Sequence, residues 1–132
     1  MSPRRAVNPG WHSYEALTFS PAVAASGELL FVSGLNAIDE SGQLQAPGDL
    51  VGQTRAIYAK MAVILETAGG SLSDVVRTTD YVLGRGGYRA TSAVRRELLG
   101  PVYPAATGVV VKELFGRGVL IEIDAIAVLR NR

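Results

Sequence analysis

The sequence contains no cysteine and a single histidine, His12. The first absence excludes disulfides, thiol nucleophiles and thiolate metal ligands, and the second excludes a histidine cluster for zinc. An excess of one charge is also lacking, because 13 basic residues face 12 acidic ones and the formal net charge is +1. This balance gives no basic surface for nucleic acid. We therefore expect no metal, no cofactor and no nucleic-acid partner.

Long apolar runs are missing as well. No stretch approaches the roughly 18 apolar residues of a membrane helix, and the basic segment MSPRRAVNPG lacks the apolar region of a secretory signal. We expect a cytoplasmic protein without a membrane partner. With 132 residues, of which 48% are hydrophobic and 19% charged, the chain has the length and composition of one globular domain.

Turn residues divide the first half of the chain into a predicted strand and a predicted helix. Residues 1–21 contain three prolines and are predicted to be irregular, with Trp11 and His12 either covering a pocket or anchoring this arm. A strand is expected from Gly27, followed by a turn-rich loop over residues 39–49. Asp49 is a suitable N-cap for the helix that follows, and Gly69-Gly70 would end it.

The second half is predicted to hold a strand, a shorter helix and two further strands. Residues 74–84 are rich in β-branched side chains, as strands are, and residues 88–99 have helical spacing. The last two strands are expected to form a hairpin across the FGRG turn at 115–118. The resulting order, β(β)αβαββ, with two helices on one face of a sheet, is typical of an α+β domain.

The last strand has two different faces. One face is entirely apolar and should pack against the helices: Val119, Ile121, Ile123, Ala125, Ala127 and Leu129. The other face is also largely apolar, yet it carries Glu122 and Asp124. A sheet covered by helices on one side normally shows water a polar second face. We infer that this face meets another molecule, most simply a second copy of the chain.

Two groups in this pattern could carry chemistry. Glu122 and Asp124 lie two residues apart on one strand face, about 7 Å from each other, and paired carboxylates can divide acid and base roles. They could equally be solvated or tied into interface ion pairs. Ser33, between a strand and a glycine, is a weak signal by itself, because such serines commonly cap turns.

Several stretches together resemble the Rid or YjgF-type proteins, the reactive-intermediate deaminases. They are FSPAV (19–23), LLFVSGL (29–35), QTRAIYAKMAVILETAGGSLSDVVRTTDYV (53–82), YPAAT (103–107) and VLIEIDAIAV (119–128). The resemblance implies one domain over residues 19–132, preceded by an arm of residues 1–18. It also implies a chorismate-mutase-like fold and a homotrimer with a barrel-like core, in which the mixed face of the last strand would point inward.

The resemblance further implies an enzyme that hydrolyses small 2-imino or 2-enamino acids to 2-keto acids and ammonia, in clefts between subunits. Ser33, Gly34 and Leu35 correspond to the family's SGQ motif, and Glu122 to the glutamate that is thought to position or activate the attacking water. Glu122 and Ser33 are therefore the expected catalytic residues, with Gly34 and Leu35 beside the substrate.

The chain departs from the family where the substrate should bind. The arginine of the family's PAR[ST] motif is Ala106 here, followed by Thr107, and the cysteine that often comes next is Gly108. The tyrosine of the family's YS-x-AV segment is Phe19, and the asparagine of the second helix is Ser92. These five positions are the expected substrate-binding residues, together with Arg89. Either Arg89 or Arg117 could replace the missing arginine.

Three functions remain open on the sequence. The first is an enzyme acting on an imine, an enamine or a related reactive metabolite, by deamination, hydrolysis or tautomerisation, with Glu122 as acid and base. It would not be a standard 2-iminopropanoate deaminase, because residue 106 is alanine. The second is a non-catalytic trimer that binds a metabolite as a sensor. The third, a ribonuclease, is disfavoured by the near-neutral charge.

Overall fold

The protein folds as six strands and two α-helices in a computed structural model that describes residues 4–130. In chain order the elements are β1 (Arg4–Val7), β2 (Ala22–Ala25), β3 (Glu28–Leu35), α1 (Leu50–Thr67), β4 (Val75–Val82), α2 (Ser92–Leu99), β5 (Ala105–Val110) and β6 (Ile121–Leu129). Short 3-10 turns occupy His12–Ala16, Leu72–Asp74 and Tyr88–Thr91. This mixture of two helices with a sheet is the predicted α+β class.

Helix α1 follows from its sequence at both ends. The Asp49 side chain accepts a hydrogen bond from the Gly52 amide at 2.9 Å, as an N-cap does. Gly69 ends the helix in the left-handed region at φ +86°, which favours glycine. Between these signals Ile57 and Met61 recur at a spacing of four and are completely buried against the sheet. The predicted helix and both of its boundaries are confirmed.

The main sheet has the strand order β3-β6-β4-β5. Strand β6 pairs antiparallel with β3 and with β4, while β5 pairs parallel with β4. The predicted hairpin between the last two strands is therefore wrong. Helix α2 returns the chain to the starting end of β4, so β5 runs in the same direction as β4 and takes the edge. Strand β6, which is largely apolar on both faces, fills the centre.

Residues 1–21 were predicted to be irregular, and this prediction is wrong in part. Strand β1 pairs antiparallel with β2, with Arg4 opposite Ala25 and Val7 opposite Ala22. Arg4 is buried, and its guanidinium donates to the carbonyls of Val75 and Val102. The polar composition of this segment gave no strand signal, although its backbone forms hydrogen bonds with β2. The first three residues of the predicted arm lie outside the described residues.

One face of the sheet is packed and the other is open. The predicted inward face of β6 is confirmed, because Ile121, Ile123 and Ala127 are completely buried in the cluster that both helices complete. On the opposite face Leu29 is 56% exposed and Phe31 is 69% exposed. This open sheet face is the surface on which an assembly could form. In residues 4–130 no helix has the length and apolar character needed to cross a membrane.

Candidate functional site

A β-bulge brings the first two predicted site residues beside Glu122. The register between β3 and β6 shifts between Val32 and Leu35, so one extra residue of β3 bulges at Ser33-Gly34. A Cβ added to Gly34 would stand 2.3 Å from Glu122 Oε2, which means that the carboxylate lies directly on the glycine backbone. Ser33 is exposed on the same bulge, whereas Leu35 packs against the core.

The two carboxylates of β6 have different surroundings. The Tyr81 hydroxyl donates to Asp124 Oδ2 at 3.0 Å, and this hydrogen bond is the main cause that raises the pKa of Tyr81. The Glu122 carboxylate lies instead over Gly34. Asp124 thus has a partner on the neighbouring strand, while Glu122 faces a position that has no side chain. Of the two, Glu122 is the one placed to meet a small molecule.

The strand that carries the missing arginine has two separate faces. Ala106 pairs with Thr78 and Gly108 with Asp80, both of which are buried beneath the helices. Residues paired in register share a face, so Ala106 and Gly108 lie on the helix side. Thr107 lies on the open side, where its hydroxyl accepts from Arg77 Nη2 at 2.6 Å. The predicted binding residues of β5 are therefore divided between the two sides of the sheet.

A buried polar cluster lies beneath Gly108, and the sequence analysis did not find it. The Tyr88 hydroxyl donates to Asp80 Oδ2 at 2.7 Å, and Arg95 Nη1 donates to the same oxygen at 3.3 Å. Arg95 Nε also donates to Thr18 Oγ1 at 3.2 Å. A Cβ on Gly108 would stand 3.0 Å from the Tyr88 hydroxyl, so the glycine leaves room for that group.

Burial controls the protonation of this cluster. Desolvation raises the pKa of Asp80, and the Tyr88 hydrogen bond and the Arg95 charge oppose this shift without cancelling it. Desolvation likewise raises the pKa of Tyr88. The guanidinium of Arg95 lies 5.3 Å from the centre of the Tyr88 ring, in cation–π range. The sequence signal was Asp80 itself, a carboxylate within a strand rich in β-branched residues.

Two adjoining cavities surround Tyr88 and Arg89, which line both. The first, of about 340 Å³, lies above the edge strand and is lined by Val82, Arg85, Tyr88, Arg89, Gly108, Val109 and Val110. The second, of about 510 Å³, lies between the arm and α2 and is lined by Ala16, Leu17, Thr18, Phe19, Tyr88, Arg89, Ser92, Arg95 and Arg96. The structure thus brings together the predicted binding residues Phe19, Arg89, Ser92 and Gly108. Arg117 lines neither cavity.

The arm contributes aromatic side chains to this region. The Tyr14 ring lies 5.6 Å from the Phe19 ring in an edge-to-face arrangement, and Trp11 lies 6.1 Å from Tyr14. His12 pairs with Glu15 at 3.0 Å on the surface. Trp11 itself is 54% exposed. The rings of the arm thus form a row of contacts that ends at Phe19, which lines the second cavity. Nothing in the sequence indicated that Tyr14 would contact Phe19.

The predicted site residues form two groups within one chain. Ser33, Gly34 and Glu122 lie at the β3–β6 side of the sheet, whereas Ala106 and Gly108 lie on β5. Three strand spacings separate β3 from β5, about 14 Å. The groups also occupy opposite faces of the sheet. A single chain does not bring Ser33 and Glu122 to Ala106 and Gly108. Within residues 4–130 no group of three histidine, aspartate or glutamate side chains could hold a metal ion.

The family model described as endoribonuclease L-PSP matches residues 13–129. RutC family proteins from two archaea are similar in sequence. One from Pyrococcus horikoshii is 38% identical over 109 residues, covering 83% of this chain and 85% of the relative. Another from Pyrococcus abyssi is 38% identical over 102 residues, covering 76% and 79%.

Solved structures show the same likeness. The Rid family protein YyfB from Yersinia pestis, whose function is unknown, is 32% identical with a TM-score of 0.82, covering 97% of this chain and 100% of that one. RidA from an Antarctic Psychrobacter is 25% identical with a TM-score of 0.71, covering 98% and 97%. These similarities extend over the arm, the sheet and both helices.

Proposed function

The chain belongs to the endoribonuclease L-PSP family, the YjgF/Rid proteins, and from that premise we propose that it is an enzyme acting on a small imine or enamine. In the proposed hydrolysis, water adds to the imine carbon and the resulting carbinolamine collapses to a carbonyl compound and ammonia. A tautomerisation of the same class of substrate would need only the proton transfers.

The observation that carries this proposal is the contact of Glu122 with Gly34. The carboxylate of half-buried Glu122 lies over the Gly34 backbone at a strand bulge, and Ser33 is exposed on the same bulge. Glu122 would take a proton from the attacking water and return it to the leaving nitrogen, while the Ser33 hydroxyl would orient the water. Acid–base catalysis of this kind contributes about 10²–10⁴ in rate.

A second copy of the chain would complete the site. Ser33 and Glu122 lie across the sheet from Ala106 and Gly108, so we propose that a neighbouring subunit supplies these substrate-binding residues. The open sheet face carries exposed Leu29 and Phe31, which an assembly would cover. We propose the homotrimer that the family resemblance implies, with the small-molecule substrate in the cleft between two subunits.

Ala106 distinguishes this site from that of a standard 2-iminopropanoate deaminase. Its methyl group cannot form the bidentate contact that an arginine makes with a carboxylate. Loss of such a contact costs about 2–5 kcal/mol by analogy with truncated buried ion pairs. We therefore propose that the substrate is held through different residues from those of the standard deaminases, or lacks an essential 2-carboxylate.

A metabolite-binding sensor is the second candidate. It is favoured by the apolar character of Phe19, Ala106 and Gly108, where the resembled family carries polar or reactive groups. A sensor would need the cavities at α2 but no proton transfer by Glu122. Ribonuclease activity, named in the family's description, receives no support from a formal net charge of +1.

Ammonia release separates these functions. We would supply freshly generated imines with and without a 2-carboxylate to the wild type, to Glu122→Gln and to the control Glu66→Gln, which changes an exposed acid on α1. We expect ammonia from at least one imine, about 10²–10⁴ less from Glu122→Gln, and an unchanged rate from the control. Equal rates for wild type and Glu122→Gln, or no imine consumed, would contradict the proposal.

A further inference from the structure

One buried carboxylate oxygen lies behind the wall that the two cavities share. Asp80 Oδ2 accepts from the Tyr88 hydroxyl at 2.7 Å and from Arg95 Nη1 at 3.3 Å. Tyr88 lines both cavities, and Arg95 lines the larger one. Asp80 itself is 3% exposed and is not a lining residue of either cavity. It can therefore act on a ligand only through the side chains that it binds.

On one side, Asp80 fixes the 3-10 turn that carries Arg89. The Tyr88 ring lies against Gly108, where an added Cβ would stand 3.0 Å from the hydroxyl oxygen. The Tyr88 carbonyl accepts from Thr91 Oγ1 at 2.6 Å within the same turn. Tyr88 is thus held through its hydroxyl, its ring and its backbone. Arg89 is the next residue of the turn, so the position of Tyr88 determines where the Arg89 backbone lies.

On the other side, Asp80 orients the arginine that binds the arm. Arg95 Nε donates to Thr18 Oγ1 at 3.2 Å, while its Nη1 donates to Asp80. Thr18 is 4% exposed, whereas no residue of the 3-10 turn His12–Ala16 is buried. Phe19 follows Thr18 and lines the larger cavity. Arg95 therefore attaches the arm to α2 directly beside a predicted substrate-binding residue.

Burial makes these contacts well suited to hold both walls. The side chains of Asp80 and Arg95 are 4% and 8% exposed, so water competes little for their hydrogen bonds. Hydrogen bonds to charged groups are also about twice as strong as neutral ones. Binding residues must be held to within about 0.5 Å of their working positions, and a misplacement of about 1 Å can cost about 10²-fold in rate.

We propose that Asp80 is a positioning residue for the substrate site, which acts through Tyr88 and Arg95 on the predicted binding residues Arg89 and Phe19. This inference rests on the proposed function and deepens it, because it names a residue outside the cavities that sets how well the substrate binds. An ion pair that only stabilises the fold would change unfolding and leave the folded site as it is. A positioning residue would also change KM in protein that is fully folded.

Exchange of the Tyr88 hydroxyl proton with water tests the contact without any ligand. NMR on the full chain with labelled tyrosine follows this proton, and its signal is identified by its loss in Tyr88→Phe. Exchange should be slow in the wild type and in Asp80→Asn, whose amide oxygen can still accept. It should be about tenfold faster or more in Asp80→Val, which has no acceptor. The control Glu97→Gln, which changes an exposed acid on α2, should exchange as the wild type does.

The KM for ammonia release tests the effect on the site. The assay uses the freshly generated imine that the wild type consumes, under conditions in which urea unfolding shows every variant to be folded. Asp80→Val and Tyr88→Phe should each raise KM about tenfold or more, with a smaller change in kcat. Asp80→Asn and Glu97→Gln should keep a KM close to that of the wild type.

Slow exchange in Asp80→Val, or a wild-type KM in both Asp80→Val and Tyr88→Phe, would overturn the assignment. Equal impairment of Asp80→Asn and Asp80→Val would do so too, because an oxygen acceptor would then not be what holds Tyr88. If Asp80→Val does not fold, the KM of Tyr88→Phe decides, since this variant removes the same hydrogen bond from its other end. Failure of the wild type to consume any imine would refute the proposed catalysis, and the exchange measurement would still test this inference separately.

Discussion

Replacing Arg95 with methionine should destabilise the protein far more than replacing an exposed arginine. The Arg95 side chain is 8% exposed and that of Asp80 is 4% exposed, so water screens their attraction little. Removing one partner of such a pair leaves a buried charge and costs about 3–5 kcal/mol. Arg55 and Glu97 form a shorter pair at 2.7 Å, but their side chains are 50% and 60% exposed. Arg55→Met should therefore cost about 0–1 kcal/mol.

Urea unfolding at one fixed protein concentration measures both costs, since the proposed assembly would make stability depend on concentration. The cost of Arg95→Met should also shrink at acidic pH, because protonation of Asp80 removes the uncompensated charge. Asp80→Asn combined with Arg95→Met should recover part of the loss for the same reason. If Arg95→Met and Arg55→Met shift the urea midpoint equally, the buried pair does not stabilise the fold as argued.

Three further predictions concern single contacts. Gly34→Ala places a Cβ 2.3 Å from Glu122 Oε2, so ammonia release should fall about tenfold or more while the urea midpoint changes little; unchanged release would place the reaction elsewhere. Gly108→Ala brings a Cβ to 3.0 Å from the Tyr88 hydroxyl. It should lower the free energy of unfolding by about 1–3 kcal/mol, because it weakens the hydrogen bond from Tyr88 to Asp80. In a Tyr88→Phe background, which lacks that hydrogen bond, the same substitution should have no such cost. Burial raises the pKa of Asp80 above its ordinary 3.8, so its stabilising contribution is present below that pH and is lost as the pH rises through the folded-state value. Wild type should therefore lose stability relative to Asp80→Asn as the pH rises above 3.8, by at most one proton's dependence, and a relative gain measured by urea unfolding would contradict this direction.

Local signals predicted helix α1 because both of its ends are encoded by single residues, Asp49 and Gly69. The pairing of β5 and β6 could not be predicted in this way. A turn signal between two strands indicates that the chain reverses direction, but it does not determine which strands pair with each other. That choice depended on α2, which brought β5 back parallel to β4, and on the burial available to β6 in the centre of the sheet. Strand β1 was missed because its charged side chains show no apolar alternation.

The candidate site likewise contains residues that the sequence predicted and residues that it did not. Glu122 and Ser33 were identified because a motif carries them, and the structure added the Gly34 contact that the bulge creates. The cluster of Asp80, Tyr88 and Arg95 had no such signal. A carboxylate in a strand and an arginine in a short helix are both usually solvated, and only the packing of α2 over β4 buries them together. Which arginines line a cavity is likewise a property of tertiary structure.

We propose one active site that combines Glu122 of one subunit with the predicted substrate-binding residue Arg89 of another. The most direct measurement is ammonia release by Glu122→Gln and Arg89→Gln after the two variants are unfolded and refolded together, with each variant refolded alone as the control. In a random mixture about a quarter of the shared sites carry neither substitution, so activity should rise well above that of both variants. A mixture no more active than the mean of the two variants would contradict the shared site.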